Sequence, residues 1–275
     1  MIKPRTLLLH GVLILFALII LAPVVYTFLT SLKLFRDIIS GSWSFDPTLR
    51  NYEQLFMSNR NNFVDLTRNS LIVGVLTLVV VIVVAALGAY SLSRFKWRRA
   101  ISGLVMGWLL FVNMLPPIIF VGPYYLIARN LEIYDTAIAI VMAHSILNLP
   151  LAFWMLHSFF ADVPIELEEA ASIDGCSRLQ TFLRIVLPIA RPGIAATAVL
   201  VFVFSWKEFL FALTLSSTPA AMTIPVGIAG FVQEYNVRYG EMSAASFFAA
   251  LPALVLVIIA QRHIIKGMTL GALKG

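Results

Sequence analysis

Six apolar stretches, each long enough to cross a bilayer as a helix, constrain this chain more than any other feature. About 20 apolar residues in helical conformation span the ~30 Å hydrocarbon core of a membrane. Hydrophobic residues make up 60% of the 275 residues and charged residues 12%, which is more apolar surface than one soluble core of this length buries. The stretches are apolar on all sides, so they predict helices and not the alternating strands of a membrane barrel. The six predicted transmembrane helices cover residues 7–32, 70–93, 100–128, 136–160, 194–216 and 244–261.

These stretches divide the chain into three parts. Residues 1–67 contain the first predicted helix and an extracytoplasmic loop. That helix is too long for a secretory signal and lacks a small-residue cleavage site, so it is expected to be retained. Residues 68–266 hold five further helices with a polar loop at 162–188, and residues 267–275 form a short tail rich in glycine.

The distribution of Lys and Arg orients the predicted helices. Twelve of these residues lie on the side that holds both termini and the 162–188 loop, and seven lie on the other side. Short loops rich in Lys and Arg stay in the cytoplasm. Both termini and the 162–188 loop are therefore predicted to be cytoplasmic. This asymmetry explains the basic net charge better than nucleic-acid binding does, so no nucleic-acid partner is expected.

The sequence offers little for catalysis or metal binding. One cysteine, Cys176, excludes an intrachain disulfide, and four scattered histidines form no metal-ligand cluster. The chain contains no Gly-x4-Gly-Lys-Ser/Thr phosphate loop, so it is not itself an ATPase. We predict no catalytic residue, no metal site and no cofactor in this chain.

Proline and glycine interrupt the third predicted helix. The pairs Pro116-Pro117 and Gly122-Pro123 are predicted to break its hydrogen-bond ladder. Such breaks are tolerated at membrane depth where protein or a water-filled cavity satisfies the freed carbonyls. Earlier in the same stretch, glycines at positions 103 and 107 have the spacing that lets another helix approach closely.

The 162–188 loop is predicted to form two short helices. Gly175 should end the first, because glycine adopts a left-handed conformation without a Cβ penalty. Ser177 and Gln180 fit a capping box that begins the second. Pro188 is expected to end that second helix.

The same loop carries a motif of fixed spacing, in which Glu-Ala-Ala is followed after three residues by Gly and after nine more by Ile-x-Leu-Pro. This motif resembles the cytoplasmic loop of permease subunits of ATP-binding-cassette (ABC) importers. Residues 68–275 more broadly resemble the permeases of the carbohydrate-uptake, maltose-transporter type. The resemblance implies an all-α integral membrane protein with six transmembrane helices and a cytoplasmic coupling helix between helices 4 and 5.

In that family the loop docks on the ATPase subunit and transmits its motion to the membrane helices. The compact helix-turn-helix is expected to expose Ala170, Ala171 and Ile173 for this contact. The residues implied in ATPase coupling are Glu169, Ala170, Ala171, Ile173, Gly175, Ile185, Leu187 and Pro188.

The resemblance also implies a set of partners. They are a homologous second permease, two ABC ATPase subunits that bind ATP and Mg²⁺, an extracytoplasmic solute-binding protein, a sugar substrate and membrane lipid. The expected function is ATP-driven import of a sugar or sugar derivative across a bacterial-type inner membrane by alternating access. For the tail at 267–275, the resemblance implies contact with the ATPase dimer, and a frayed end is the alternative.

Polar residues within the predicted helices mark a candidate substrate path. Lys207 and Glu208 fall inside the fifth helix, where a charge is a functional hypothesis by default. The resembling permeases often have Asn after the Trp, so the lysine favours a sugar with an acidic group. A lysine that snorkels, or that pairs with Glu208 or a partner subunit, is the alternative. The candidate path residues are Lys207, Glu208, Trp206, Asn113, Asn148 and His144.

Two other classes of function remain open. An ion-coupled secondary carrier would use Lys207 and Glu208 as a relay and would need no ATPase. A membrane-embedded enzyme would need a nucleophile with its base, or a metal cluster, and the sequence presents neither. Dependence of transport on ATP hydrolysis separates the importer from the carrier.

Overall fold

The protein is built from long helices with short helices between them. The computed structural model describes residues 4–57, 62–233 and 236–272, with the backbone alone for residues 4, 5, 7, 236, 260 and 262–272. The first helices are α1 (Pro4–Ser31), α2 (Phe35–Ile39), α3 (Arg50–Met57), α4 (Phe63–Arg94), α5 (Arg99–Met114), α6 (Ile118–Asn130) and α7 (Ala137–Ala161). They are followed by α8 (Ile165–Ile173), α9 (Arg178–Thr181), a π-helical turn (Phe182–Val186), α10 (Leu187–Trp206), α11 (Leu210–Leu215), α12 (Ile224–Ala229), the strands β1 (Val232–Gln233) and β2 (Asn236–Val237), and α13 (Tyr239–Ala272).

The long apolar helices agree with the predicted number of membrane-spanning segments. Five stretches of the described chain are long and apolar enough to span a bilayer: Leu8–Ser31, Phe63–Arg94, Ala137–Ala161, Arg178–Trp206 and Tyr239–Ile259. A sixth candidate is the pair α5 and α6, which is bent by 100° at the short break between them. Pro116 and Pro117 lie at this break, as predicted, because neither has an N–H to continue the ladder.

Prolines elsewhere are accommodated within helices, contrary to two predictions. Pro123 lies inside α6, so the predicted break at Gly122-Pro123 is wrong. Glycine before a proline has no Cβ to clash with the ring, which relieves the usual restriction on that position. Pro188 does not end the second loop helix either, because the π turn leads straight into α10. Proline has no backbone N–H to donate. The wider π turn changes which carbonyls accept backbone hydrogen bonds at this same position.

The bounds of the last two predicted spans also differ. The fifth span begins at Arg178 rather than residue 194, and it is interrupted after Trp206 instead of running to residue 216. The last helix begins at Tyr239, five residues earlier than predicted, since Arg238 pairs with Glu241 in its first turn. Its backbone continues to Ala272, so most of the predicted tail is helical, and residues 273–275 lie outside the described residues.

The chain divides into two compact units, Met1–Leu66 with Ile224–Pro252 and Thr67–Thr223 with Ala253–Gly275. In the first unit an aromatic cluster joins the end of α3, the start of α4 and α13. The rings of Phe56, Phe63 and Phe248 pack edge to face, with centroids 5.2–5.6 Å apart. This geometry favours the ring quadrupoles and holds the three segments together.

In the second unit, small residues on α4 allow α7 and α10 to pack closely. Ala85 and Ala89, one helical turn apart, are fully buried beside Leu156 and Phe160 of α7. A Cβ at Gly74 would lie 2.8 Å from the ring of Phe202 in α10. Alanine and glycine therefore give the larger side chains of the other two helices their space.

The glycines at 103 and 107 do not make the close helix contact predicted for them. A Cβ at either position would meet no heavy atom within 4 Å. Helix α5 has no buried residues, so this face of α5 lies on the surface of the described chain.

A carboxylate joins two loops at one end of the second unit. Asp135 accepts hydrogen bonds from the backbone N–H groups of Ser217 and Thr218, at 2.8 and 3.1 Å, and from the Thr218 hydroxyl at 2.7 Å. Burial raises the pKa of Asp135, but the hydrogen bonds outweigh it and hold the pKa below its ordinary value. The stabilisation that this link provides is therefore complete above the pKa that Asp135 has in the unfolded chain. It is lost as the pH falls through the lower pKa that Asp135 has in the folded chain.

The contact of α10 with α7 generates a prediction about Gly193. A Cβ there would lie 2.2 Å from Cγ of Phe159, the root of a ring that cannot simply swing away. We expect Gly193→Ala to lower the stability of the chain by about 1–3 kcal/mol, the usual effect of overpacking. Thermal unfolding of the purified chain in detergent measures the change.

Gly103→Ala is the matched control, since that glycine is also helical but has open space around it. We expect an unchanged or slightly higher unfolding temperature, because alanine is the better helix former. Equal destabilisation by both substitutions would contradict the packing explanation.

Candidate functional site

The motif loop forms the predicted helix-turn-helix. Helix α8 carries Glu166 and Glu168 in its first turn, where carboxylates are favoured by the helix dipole. Gly175 has φ +82°, in the left-handed region that Gly175 was predicted to adopt. The N–H of Cys176 donates to Ala171 O at 2.9 Å and that of Gly175 donates to Ser172 O at 3.2 Å. These two bonds make a Schellman turn at the end of α8.

The predicted capping box begins α9. The Ser177 hydroxyl accepts from the N–H of Gln180, and the Gln180 side chain accepts from the N–H of Ser177. Two donors that would otherwise lack partners are therefore satisfied. The turn between α8 and α9 is consequently defined by its own sequence.

The loop exposes most of the residues predicted to contact a partner. Glu169 and Ala170 are exposed, and the side chain of Ile173 is 87% exposed. The predicted exposure of Ala171 is wrong, because this residue is only 3% exposed. Ala171 follows Glu168 by three residues and shares its face of α8, which is turned toward the rest of the unit.

The second half of the motif does not belong to this exposed surface. Ile185, Leu187 and Pro188 are half-buried in the π turn and the start of α10. Leu187 packs against the core formed by α4, α7 and α10. These residues connect the loop to the helix bundle.

Arg94 and Glu168 form a joint that the sequence analysis missed. The Arg94 guanidinium pairs with the Glu168 carboxylate and also donates to Phe160 O at 2.8 Å and Val163 O at 2.6 Å. Tyr90 donates its hydroxyl to the same carboxylate at 2.7 Å. One guanidinium therefore ties the end of α4 to the end of α7 and to α8. The basic run that begins at Arg94 was the available signal, but such runs usually indicate a membrane anchor.

A cavity of about 450 Å³ lies between the two helix breaks and α7. One wall contains the α5–α6 break, the second α7, and the third the residues that follow α10. Apolar side chains supply much of the lining, and four polar side chains converge on it. The lining residues are Val112, Asn113, Leu115, Pro117, Leu147, Asn148, Pro150, Leu151, Phe204, Lys207 and Glu208.

Glu208 organises the break between α10 and α11. Its Oε1 accepts from the N–H of Phe211 at 2.9 Å, and its Oε2 accepts from the N–H of Ala212 at 3.2 Å. Oε2 also contacts Nε2 of His144 at 2.8 Å. The carboxylate thereby satisfies two free N–H donors in the first turn of α11 and binds α7.

Lys207 is exposed to the cavity and does not pair with Glu208. It ends α10, and its Nζ lies 4.7 Å from the ring centroid of Phe204. Within the ranges 4–57, 62–233 and 236–272, its ammonium makes no ion pair with a carboxylate. Both residues lie in the break after Trp206, and the Glu208 carboxylate is turned toward His144 and the start of α11, so the two neighbours have different surroundings.

Four of the six predicted path residues line this cavity, and two do not. Asn113, Asn148, Lys207 and Glu208 contribute to its wall. His144 is fully buried and bonded to Ser205 and Glu208. Trp206 is 5% exposed and stacks on Phe202, with ring centroids 5.6 Å apart. His144 and Trp206 therefore do not line this cavity, because both side chains point into the helix bundle.

Relatives of the chain are transport permeases. The chain is 34% identical to the trehalose transport system permease protein SugB of Mycobacterium tuberculosis, over 93% of each chain. It is 37% identical to the inner membrane ABC transporter permease protein YcjP of Escherichia coli, over 95% of this chain and 94% of that one. It is 34% identical to the sulfoquinovosyl glycerol transport system permease protein SmoH of Agrobacterium fabrum, over 93% and 89%.

The fold is shared with a solved importer. A chain in the crystal structure of a bacterial ABC transporter for the acidic polysaccharide alginate aligns with a TM-score of 0.77 at 21% identity, covering 93% of this chain and 95% of that one. Residues 86–269 match the family model described as "Binding-protein-dependent transport system inner membrane component". This protein therefore belongs to that family, whose members are the membrane permease subunits of ABC importers.

Proposed function

We propose that this permease carries a sugar or sugar derivative across the inner membrane by alternating access. The observation that carries the proposal is the cavity between two helix breaks, where Asn113, Asn148, Lys207 and Glu208 bring polar groups between helices long and apolar enough to span a bilayer. Hydroxyl-rich solutes need such donors and acceptors to replace their water. Relatives named for trehalose and for sulfoquinovosyl glycerol transport support a sugar-type substrate.

The chain works within a larger assembly. Its partners are a homologous second permease, two ATPase subunits that bind ATP and Mg²⁺, and an extracytoplasmic solute-binding protein. A solved alginate importer in complex with a pentasaccharide-bound periplasmic protein, with a TM-score of 0.70 and 19% identity, supports this kind of assembly. Both termini and the α8–α9 loop face the cytoplasm, and the rest of the permease is surrounded by lipid.

The exposed part of the α8–α9 loop is the contact with the ATPase. Glu169, Ala170 and Ile173 form its surface, and the Gly175 turn fixes its shape. Movement of α8 reaches α4 and α7 through the Arg94–Glu168 joint. The helix pair and the joint thus convert closure of the ATPase into movement of the bundle.

The competing hypothesis is an ion-coupled carrier with Lys207 and Glu208 as a relay. Glu208 is already bonded to His144 and to two backbone N–H groups, which disfavours it as a mobile proton carrier. We expect uptake into proteoliposomes by the complete complex to require ATP and the solute-binding protein. Vanadate, which mimics a transferring phosphoryl group, should abolish it. Uptake that continues with vanadate and collapses with the ion gradient would favour the carrier.

The loop turn provides a test of coupling. Gly175→Val should leave the chain inserted but reduce substrate-stimulated ATP hydrolysis and uptake at least about tenfold, because a β-branched residue does not readily adopt a positive φ. Both activities are measured on the reconstituted complex.

Gly175→Asn is the matched control, since asparagine tolerates the left-handed region. It should retain most of the coupling. Normal uptake by the valine variant would refute the role of this turn.

Lys207 is the residue that selects an acidic group on the sugar. The Lys207 ammonium is exposed to the cavity and makes no ion pair within the described residues, so an anionic ligand in the cavity would find an available charged donor. Lys207→Met and Lys207→Asn should raise the apparent KM for an acidic substrate about tenfold or more, the effect of losing one charged hydrogen bond.

Uptake of a uronic-acid sugar and of its neutral counterpart measures the effect. The neutral sugar should be little affected, and the asparagine variant should favour it. Unchanged affinity of both variants for the acidic sugar, or a native substrate that is neutral, would show Lys207 to be a structural charge.

A further inference from the structure

We propose that His144, Ser205 and Glu208 form a buried clamp that sets the separation and orientation of the polar walls of the cavity, and through them its substrate selectivity. The selectivity part rests on the proposed function, because it takes the cavity as the path of the sugar. The clamp itself rests on the distances between His144, Ser205 and Glu208, which lie within one compact unit. Its members act as positioning residues, since the two on α7 and α10 do not line the cavity.

The two ring nitrogens of His144 bind on either side of Lys207. Nδ1 lies 2.8 Å from Oγ of Ser205, two residues before the lysine, and Nε2 lies 2.8 Å from Oε2 of Glu208, one residue after it. A carboxylate only accepts, so the Nε2–H group donates to Glu208. In the neutral ring Nδ1 then carries no hydrogen and accepts a hydrogen bond from the Ser205 hydroxyl. One side chain of α7 therefore binds residues on both sides of Lys207 in the sequence.

The same histidine also orients the opposite wall. Its backbone carbonyl accepts a hydrogen bond from Nδ2 of Asn148 at 2.8 Å. Asn148 lies one helical turn further along α7 and lines the cavity, as Lys207 does. The backbone of residue 144 thus holds the amide on one wall, and its imidazole holds the segment that carries the ammonium on the other, so only the second contact depends on the histidine side chain.

The clamp is buried enough to hold its geometry. His144 is fully buried and Ser205 is 4% exposed. Bonds in such surroundings are stronger than in water, and a lost partner leaves a polar group unsatisfied. A serine, a histidine and a carboxylate in series also occur in hydrolases, but there the serine faces the substrate. Ser205 is buried in the bundle, so the arrangement here positions neighbouring groups.

A distance measurement tests the clamp without relying on transport. Spin labels at positions 147 and 204, which line the cavity on α7 and α10, report the separation of the walls by pulsed electron resonance. Cys176 is replaced by serine so that only these positions are labelled. The measurement uses the complete complex in proteoliposomes, in backgrounds with Ser205→Ala, Glu208→Gln or His144→Gln.

We expect a narrow distance distribution in the parent and a shifted or broadened one in each clamp variant. Ser205→Ala, which removes a single hydroxyl, should have the smallest effect and is the variant that stays interpretable if the others do not assemble. Ser145→Ala is the matched control. Ser145 is a neighbouring buried serine on α7 whose hydroxyl has no hydrogen-bond partner in the described part of the chain.

The kinetic signature separates positioning from general damage. In unlabelled complexes Ser205→Ala and His144→Gln, whose parent side chains do not line the cavity, should raise the apparent KM for the native sugar about tenfold, with the maximal rate within about twofold of the parent. A fall in maximal rate with unchanged KM would indicate a structural role and overturn the proposal. Distances in Ser205→Ala and Glu208→Gln that match the parent would overturn it as well.

Failure of the proposed function would look different. A parent complex that hydrolyses ATP but imports no sugar would refute the sugar assignment. The label distances would still decide whether the clamp holds the walls, because they require no substrate.

Discussion

The contact between Arg94 and Glu168 is the interaction on which the position of α8 and of the loop that follows it depends. Isolated charges at this burial are unfavourable, yet here each charge has several partners. The guanidinium binds a carboxylate and two carbonyls, and the carboxylate also accepts the Tyr90 hydroxyl. Removal of either charged side chain would leave the other buried without its partner. The resulting loss of stability is far larger than the net stabilisation that the intact pair provides. The joint gives α8 a fixed position against two membrane helices.

The cavity follows from the need to satisfy backbone groups away from water. Each helix break frees carbonyls or N–H groups that lipid cannot bind, so breaks occur where protein or solvent supplies partners. At the α10–α11 break, Glu208 supplies acceptors for two N–H groups. The α5–α6 break lies across the same cavity. The two irregular segments therefore share one polar space inside an apolar bundle.

Features set by neighbouring residues were predictable from the sequence, and features set by distant ones were not. The apolar stretches, the Pro116-Pro117 break, the Gly175 turn and the capping box at Ser177 all depend on residues within a few positions. The Arg94–Glu168 pair joins residues 74 positions apart, and its charges resemble any others in a loop. The burial of Trp206 depends on which way α10 is turned, which periodicity in a uniformly apolar segment does not specify. The burial of Ala171 depends on which face of α8 meets the helix bundle.

The π turn at Phe182–Val186 governs that rotation for α10. A π turn takes one residue more than an α-helical turn, so the residues beyond it lie about 100° from where an unbroken α-helix counted from Arg178 would place them. If the same residues formed an unbroken α-helix, the composition of the segment would be unchanged. Ser205 would nevertheless turn away from His144, and Lys207 would face a different neighbour. The residue count of a single helical turn is thus as much a determinant of what the cavity presents as the identity of the side chains that line it.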